Sequence, residues 1–323
     1  MDQQKKTEEN TKELGTKNNV SLISSGQFAY VTNIINNNVS VINTTTNTVV
    51  ATVPVGLKPR NIAITPNDQY AYVTNESSNN VSVISTTTNT VVATVPVGFG
   101  PIGVAITPNG QFAYVTSTSS KSLYKINTVT NTVVATILSD ATHSIAITPN
   151  GQFAYVVTWS LLTNNTVISV INLATDTVIT TIPVQSFAEG IAITPNSQFA
   201  YITNNDVFAS NVFVINTASN TVVATIPVGS DPRGIAITPN GQFAYVINQI
   251  SNNVSVINTA SNTIVATIPV GLNPIGVAIT PNGQFAYVTN SISDNVSVIN
   301  IATNTVVATI PVGGFPWGIA ILP

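Results

Sequence analysis

Short apolar runs separated by polar clusters recur along the chain in a fixed order. One copy reads Gly276-Val-Ala-Ile-Thr-Pro-Asn-Gly-Gln-Phe-Ala-Tyr-Val-Thr-Asn290, then Asn295-Val-Ser-Val-Ile-Asn300, then Thr305-Val-Val-Ala-Thr-Ile-Pro-Val-Gly313. The runs are β-branched and aromatic and too short for helices, so each copy predicts four strands, a to d. They are nearly continuous in hydrophobicity, as expected of strands covered on both faces. The central tyrosine recurs at Tyr30, Tyr72, Tyr114, Tyr155, Tyr201, Tyr245 and Tyr287, at spacings of 42, 42, 41, 46, 44 and 42 residues. Four strands in a period of this size predict a propeller blade. Seven copies therefore predict an all-β fold, a seven-bladed β-propeller of four-stranded antiparallel blades.

The polar clusters have turn chemistry. Thr-Pro-Asn-Gly between strands a and b supplies a preset φ and a residue that tolerates positive φ. Strand d should form the outer edge, and Pro54, Pro96, Pro183, Pro227, Pro269 and Pro311 near its end remove an N–H donor there. The chain ends in Trp317-Gly-Ile-Ala-Ile321, a strand a with nothing after it, while the first copy has a poor strand a at Val20 to Ser24. Residues 318–322 are therefore expected to complete the first blade and close the ring, with residues 20–24 as the alternative. Residues 1–17 are expected to be a disordered tail and residues 18–323 a single propeller.

Comparing the copies locates a variable face. The distance from the tyrosine to the end of strand c is 13 residues in most copies, but 17 from Tyr155 to Asn172 and 15 from Tyr201 to Asn216. The one shortened copy loses its residue between strands d and a, near Ser139 to His143. The b–c and d–a loops share one rim of a propeller, and variable loops on a rigid scaffold are where binding resides.

The residue that opens strand a is, copy by copy, Arg60, Ile102, His143, Glu189, Arg233, Ile275 and Trp317. These side chains should ring the mouth of the central channel. Both arginines and the single histidine of the chain fall in this set. Trp159, Phe187 and Phe208 lie on the same rim, with Leu161 and Leu162 in the longest loop. The candidate binding rim is thus Arg60, His143, Trp159, Phe187, Glu189, Phe208, Arg233 and Trp317. A purely structural reading stands beside it: the arginines pair with Glu189 or cap strand ends, and the aromatics cover blades 4 and 5.

Charged residues are 7% of the chain, against a usual ~25%. Polar, uncharged surfaces of this kind point to an extracellular or cell-surface protein, although no apolar signal segment follows Met1 and no apolar run is long enough for a membrane helix. The net charge of −3 leaves no basic stripe for nucleic acid. The chain has no cysteine, which excludes disulfides and thiolate metal sites. No phosphate loop, Ser-His-Asp order or zinc motif occurs, so no cofactor and no metal is expected. The one exception left open is a divalent cation held weakly by His143 and Glu189 at the channel mouth.

The Tyr-Val-Thr-Asn strings at Tyr30, Tyr72 and Tyr287, each followed by Val-Ser-Val-Ile or a near variant, resemble the YVTN-repeat propeller family. The resemblance covers residues 20–323. It implies the fold and an exported location, but no single reaction. With no catalytic motif in view, the leading expectation is a monomeric, non-enzymatic scaffold that binds a protein, glycan or cell-wall polymer on its variable rim. Lactonases and streptogramin lyases are related seven-bladed propellers. They imply the alternative, a channel-mouth enzyme with His143 as general acid or base, Arg60 or Arg233 binding an oxyanion, and Glu189 orienting His143.

Overall fold

Each apolar run of the repeat is a strand. The structure, a computed structural model, describes residues 27–138, 141–160, 165–184, 187–206 and 210–323. Among these residues, 28 strands form seven antiparallel sheets of four. The expected 1–17 tail and the alternative strand at 20–24 lie outside the described residues. No helix among the described residues is long and apolar enough to cross a membrane.

The ring closes through its two ends. The last strand, Pro316–Ile321, is the innermost strand of blade 1 and pairs antiparallel with Phe28–Asn33, Ala29 facing Ile321 and Val31 facing Ile319. It begins two residues earlier than the repeat suggested, and the pairing runs on as the Leu322 N–H donates to the Phe28 carbonyl at 3.0 Å. No blade is left with a missing inner strand, and the free strand b edge of blade 1 is covered.

The hydrophobic core lies between blades. Tyr30, Val39, Val41 and Val53 of blade 1 pack against Ile62, Ala71, Val73 and Ile84 of blade 2, and the pattern repeats around the ring. Strand b is buried on both faces, whereas strand d exposes most of its residues, as in Thr48–Pro54. The turns follow their residues. The Gly110 N–H donates to the Thr107 carbonyl at 2.8 Å with φ of 70°. Between strands c and d, Asn127 Oδ1 accepts from the Val129 and Thr130 N–H groups at 2.9 and 3.0 Å.

Two side chains of the repeat tie blade to blade. The tyrosine is fully buried, and its hydroxyl donates to a positive-φ residue in the next blade's c–d turn. Tyr30 reaches Asn89 at 2.9 Å, and Tyr287 reaches Asn47 at 2.8 Å across the closure. In five of the seven blades a threonine two residues later donates to a main-chain carbonyl at the next blade's channel mouth, as Thr32 does to Arg60 at 2.6 Å.

Blade 3 departs from the pattern in a paired way. Lys125 stands where other copies have valine, and Asp176, in the next blade's turn, stands where they have asparagine. The nearly buried Lys125 ammonium donates to both Asp176 oxygens, at 2.8 and 3.1 Å, and lies 4.2 Å from the Phe112 ring centroid. Breaking one half of such a pair strands a buried charge. Asp176→Asn is expected to lower unfolding stability by roughly 2–3 kcal/mol, below the usual cost because Asp176 is partly solvated. Lys125→Val added to it should recover most of that loss. A urea-denaturation double-mutant cycle measures both, and additive losses would refute the coupling.

Candidate functional site

The seven mouth residues sit in irregularities of their strands. Between Pro59 and Ile62 the register of strand a against strand b shifts, and Arg60 lies inside the shift. The same shift encloses Ile102, His143, Glu189, Arg233 and Ile275, and strand b of blade 1 shifts opposite Trp317. A bulge leaves residues out of the ladder and re-aims their side chains. The threonine of strand b satisfies the loosened backbone. Thr116 Oγ1 accepts from the Gly103 N–H at 2.7 Å and donates to the His143 carbonyl at 2.6 Å. Neighbouring strands approach so closely that a Cβ on Gly103 would lie 2.7 Å from that carbonyl oxygen. In blades 4 and 6, Val157 and Ile247 replace this threonine, so the carbonyls of Glu189 and Ile275 are not held in the same way.

These bulges surround a cavity of about 190 Å³ at the channel mouth, lined by His143, Glu189, Arg233, Ile102, Ile275 and Trp317. One side is polar. His143 Nε2 is 3.8 Å from Glu189 Oε1, and the same oxygen is 3.0 Å from Arg233 Nη1. Arg233 is fixed from behind: Nε donates to Gln249 Oε1 at 2.6 Å, Nη2 to Asp231 Oδ2 at 3.2 Å, and Asp231 Oδ1 is 3.2 Å from Nε. A guanidinium has five N–H bonds, so donors on both terminal nitrogens remain for a bound oxygen. The imidazole Nδ1 is buried with no hydrogen-bond partner, while the side chain as a whole is about one-third exposed. The other side is mostly apolar, made by Ile102, Ile275 and the Trp317 indole, with Asn61 the one polar side chain among them.

The structure thus brings together His143, Glu189 and Arg233, from blades 4, 5 and 6. Arg60 stands apart. It does not line the cavity; its Nε is paired with Glu76 at 2.5 Å, and its guanidinium carbon lies 4.3 Å from the Trp317 ring centroid. Phe315 stacks on the same indole at 6.0 Å. Trp159 and Phe187 meet edge to face at 5.8 Å, both well exposed, on the rim outside the cavity. Phe208, Leu161 and Leu162 fall outside the described residues. Among the described residues no third His, Asp, Glu or Cys joins His143 and Glu189 in a metal-binding cluster, and the Glu189 charge is already taken up by Arg233.

Sequence reasoning missed the supports Asp231, Gln249 and Glu76. A signal for two of them exists. Glu76 and Gln249 stand 16 residues after Arg60 and Arg233, in the first residue beyond strand b, where blades 3 and 7 carry Thr118 and Ser291. Only the two blades with an arginine at the mouth have a long acceptor there.

The family model described as "Lactonase, 7-bladed beta-propeller" matches residues 2–94 and 85–266. No curated protein matches the chain. Many solved structures are similar, three of them as follows. Hydrazine synthase of Kuenenia stuttgartiensis has a TM-score of 0.81 at 23% identity, covering 86% of this chain and 93% of its own. A functionally unknown protein from Desulfotomaculum acetoxidans has a TM-score of 0.79 at 22% identity, with 93% and 99% covered. The dihydro-heme d1 dehydrogenase NirN has a TM-score of 0.67 at 12% identity, with 93% and 76% covered. At these identities the solved structures speak to the fold. The family match overturns the expectation of a non-enzymatic binding scaffold. That expectation rested on sparse charge and missing linear motifs, and a site assembled from one residue per blade leaves no linear motif.

Proposed function

On the premise that the chain belongs to the lactonase family of seven-bladed β-propellers, we propose that the mouth cavity hydrolyses a lactone. The observation that supports this most is the meeting of His143, Glu189 and Arg233 around one cavity, in a chain with a single histidine and two arginines. Lactone hydrolysis needs a base for water and a donor for the carbonyl oxygen. Imidazole is the side chain suited to taking and returning a proton near neutral pH. His143 Nε2 takes a proton from water as the water oxygen bonds to the lactone carbonyl carbon. The free N–H bonds of Arg233 hold the developing oxyanion, and Asp231, Gln249 and Glu189 keep the guanidinium from moving. The ring C–O bond then breaks, and the proton passes from His143 to the departing alkoxide. The product is the open hydroxy acid, which loses its carboxyl proton to solvent. Glu189 sits too far from Nε2 for a direct hydrogen bond and acts through its field, which favours the imidazolium formed in the transition state. Arg60 has no part in these steps.

The test is a pH-stat assay against a panel of γ- and δ-lactones. The wild-type chain is expected to turn over members of the panel. His143→Gln should lower kcat/KM by about 10²–10⁴-fold, with the melting temperature unchanged. Undiminished turnover in His143→Gln, or no turnover of any lactone by folded wild type, would falsify the assignment.

A further inference from the structure

Resting on the lactonase reading above, we infer that the substrate is an uncharged lactone carrying an alkyl side chain, with the tail directed down the channel. The first ground is charge. The one guanidinium in the cavity faces two carboxylates, Glu189 and Asp231, so no unbalanced positive charge is offered to a phosphate or carboxylate. The other arginine is turned to the rim and paired with Glu76. An anionic lactone would enter a mouth with an excess of negative charge, and like charges brought together out of water are costly.

The second ground is the wall. Below the mouth residues the cavity is bounded by a ring of β-branched aliphatic side chains, one per blade, among them Ile62, Val104, Ile145, Ile191 and Ile235. Between this ring and the mouth the lining is glycine in five blades, with Asn61 and Ser144 the two polar side chains at that level. The ring itself is aliphatic throughout, and an alkyl chain is freed from water there. Trp317, Ile102 and Ile275 continue the apolar wall up to the mouth, opposite the polar side. The surrounding rim is apolar as well: Phe99 is 69% exposed, and Ile35, Leu57, Ile250, Leu272 and Ile292 are exposed beside it in the b–c and d–a loops. Solvent-facing aliphatics around a cavity mark a surface that handles apolar ligands. The same charge balance acts on the product. Hydrolysis turns a neutral ligand into a carboxylate beside Glu189 and Asp231, which favours its release.

The experiment uses the full chain and two substrate series on one γ-lactone ring. The first carries linear alkyl groups of increasing length, and the second carries a carboxylate or phosphate at the same position. In the alkyl series kcat/KM should rise roughly fourfold per added methylene until the tail fills the cavity. The charged analogues should fall at least about tenfold below the neutral member of equal length. Asp231→Asn, which removes one carboxylate, should narrow that gap. Binding is read separately by indole fluorescence in Trp159→Phe, where Trp317 is the remaining tryptophan. Neutral alkyl lactones should quench it and charged ones should not. Turnover of charged lactones equal to or above that of neutral ones overturns this inference and leaves the lactonase reading intact. A flat dependence on alkyl length overturns the placement of the tail. Neither turnover nor quenching with any lactone overturns both.

Discussion

Above pH 10 the ring is expected to lose stability steeply and to unfold before pH 12. Every blade buries one tyrosine to 0% exposure. Burial disfavours the phenolate and pushes the hydroxyls of Tyr72, Tyr155, Tyr201, Tyr245 and Tyr287 from 10.0 up to about 12. Tyr30 and Tyr114 are raised further, Tyr114 also by the Asp176 carboxylate that accepts its hydrogen bond. The sign follows from proton counting. Between the ordinary and the raised value the unfolded chain has released these protons and the folded chain still holds them. Raising the pH through that window therefore favours unfolding, and the stabilisation is complete only below 10. Two units correspond to roughly 2–3 kcal/mol per tyrosine. Five such groups together represent on the order of 10 kcal/mol, comparable to the whole stability of a typical protein. The measurement is a pH titration followed in parallel by circular dichroism and by phenolate absorbance. Both signals should change together, in one cooperative step. Seven buried tyrosines ionising gradually near pH 10, with the β-sheet spectrum intact, would contradict this account.

The strings that made the fold legible are those that join blade to blade. In Tyr-Val-Thr-Asn the tyrosine reaches the next blade's turn, the threonine reaches its mouth carbonyl, and the asparagine packs where Gly271 and its counterparts leave no room for a Cβ. Such residues repeat because the ring repeats, so they spoke to architecture and not to chemistry. The mouth was readable for the opposite reason. Aligned copies put scarce residues at one register, and the structure gathers His143, Glu189 and Arg233 at that register. Their pairing was not readable. Arg60 and Arg233 occupy equivalent bulges, yet one turns to Glu76 and Trp317 and the other to Glu189. Both place Nε on the acceptor 16 residues onward, so the difference comes from the mouth residue of the preceding blade, an indole at Trp317 for Arg60 and a carboxylate at Glu189 for Arg233. The Lys125–Asp176 pair was visible as two departures from the repeat. Linking them required knowing that strand c of one blade meets the c–d turn of the next. The functional class failed on composition. A low charge content describes the outer surface, and a few ionisable groups in one cavity barely change it.

Deleting residues 316–323 is expected to open the ring and abolish the cooperative fold. This segment is the inner strand of blade 1, and no other described strand takes its place. Its removal uncovers the Ala29–Val31 ladder and takes Leu322, fully buried, out of the core shared by blades 1 and 2. Burying one leucine contributes roughly 1.5–3 kcal/mol, and lost pairing adds to that. The mouth loses more than Trp317. Within blade 1, Thr32 Oγ1 loses the Gly318 N–H it accepts from at 2.8 Å, and Thr289 of blade 7 loses the Trp317 carbonyl it donates to at 2.8 Å, so the tie from blade 7 across the closure is released. The damage propagates because each blade's core is shared with its neighbour, and an exposed strand edge is a template for pairing with another chain. The truncated chain should therefore elute as oligomers or aggregates and lack a sharp thermal transition. Deleting Pro323 alone, outside the strand, should leave the transition in place. A synthetic peptide of residues 314–323 supplied in trans should restore a monomer with a sharp transition, since the vacant edge accepts an added strand. If the truncated chain stays monomeric and melts within about 2 °C of the full chain, a shift worth less than about 1 kcal/mol, then closure by this strand does not hold the ring together.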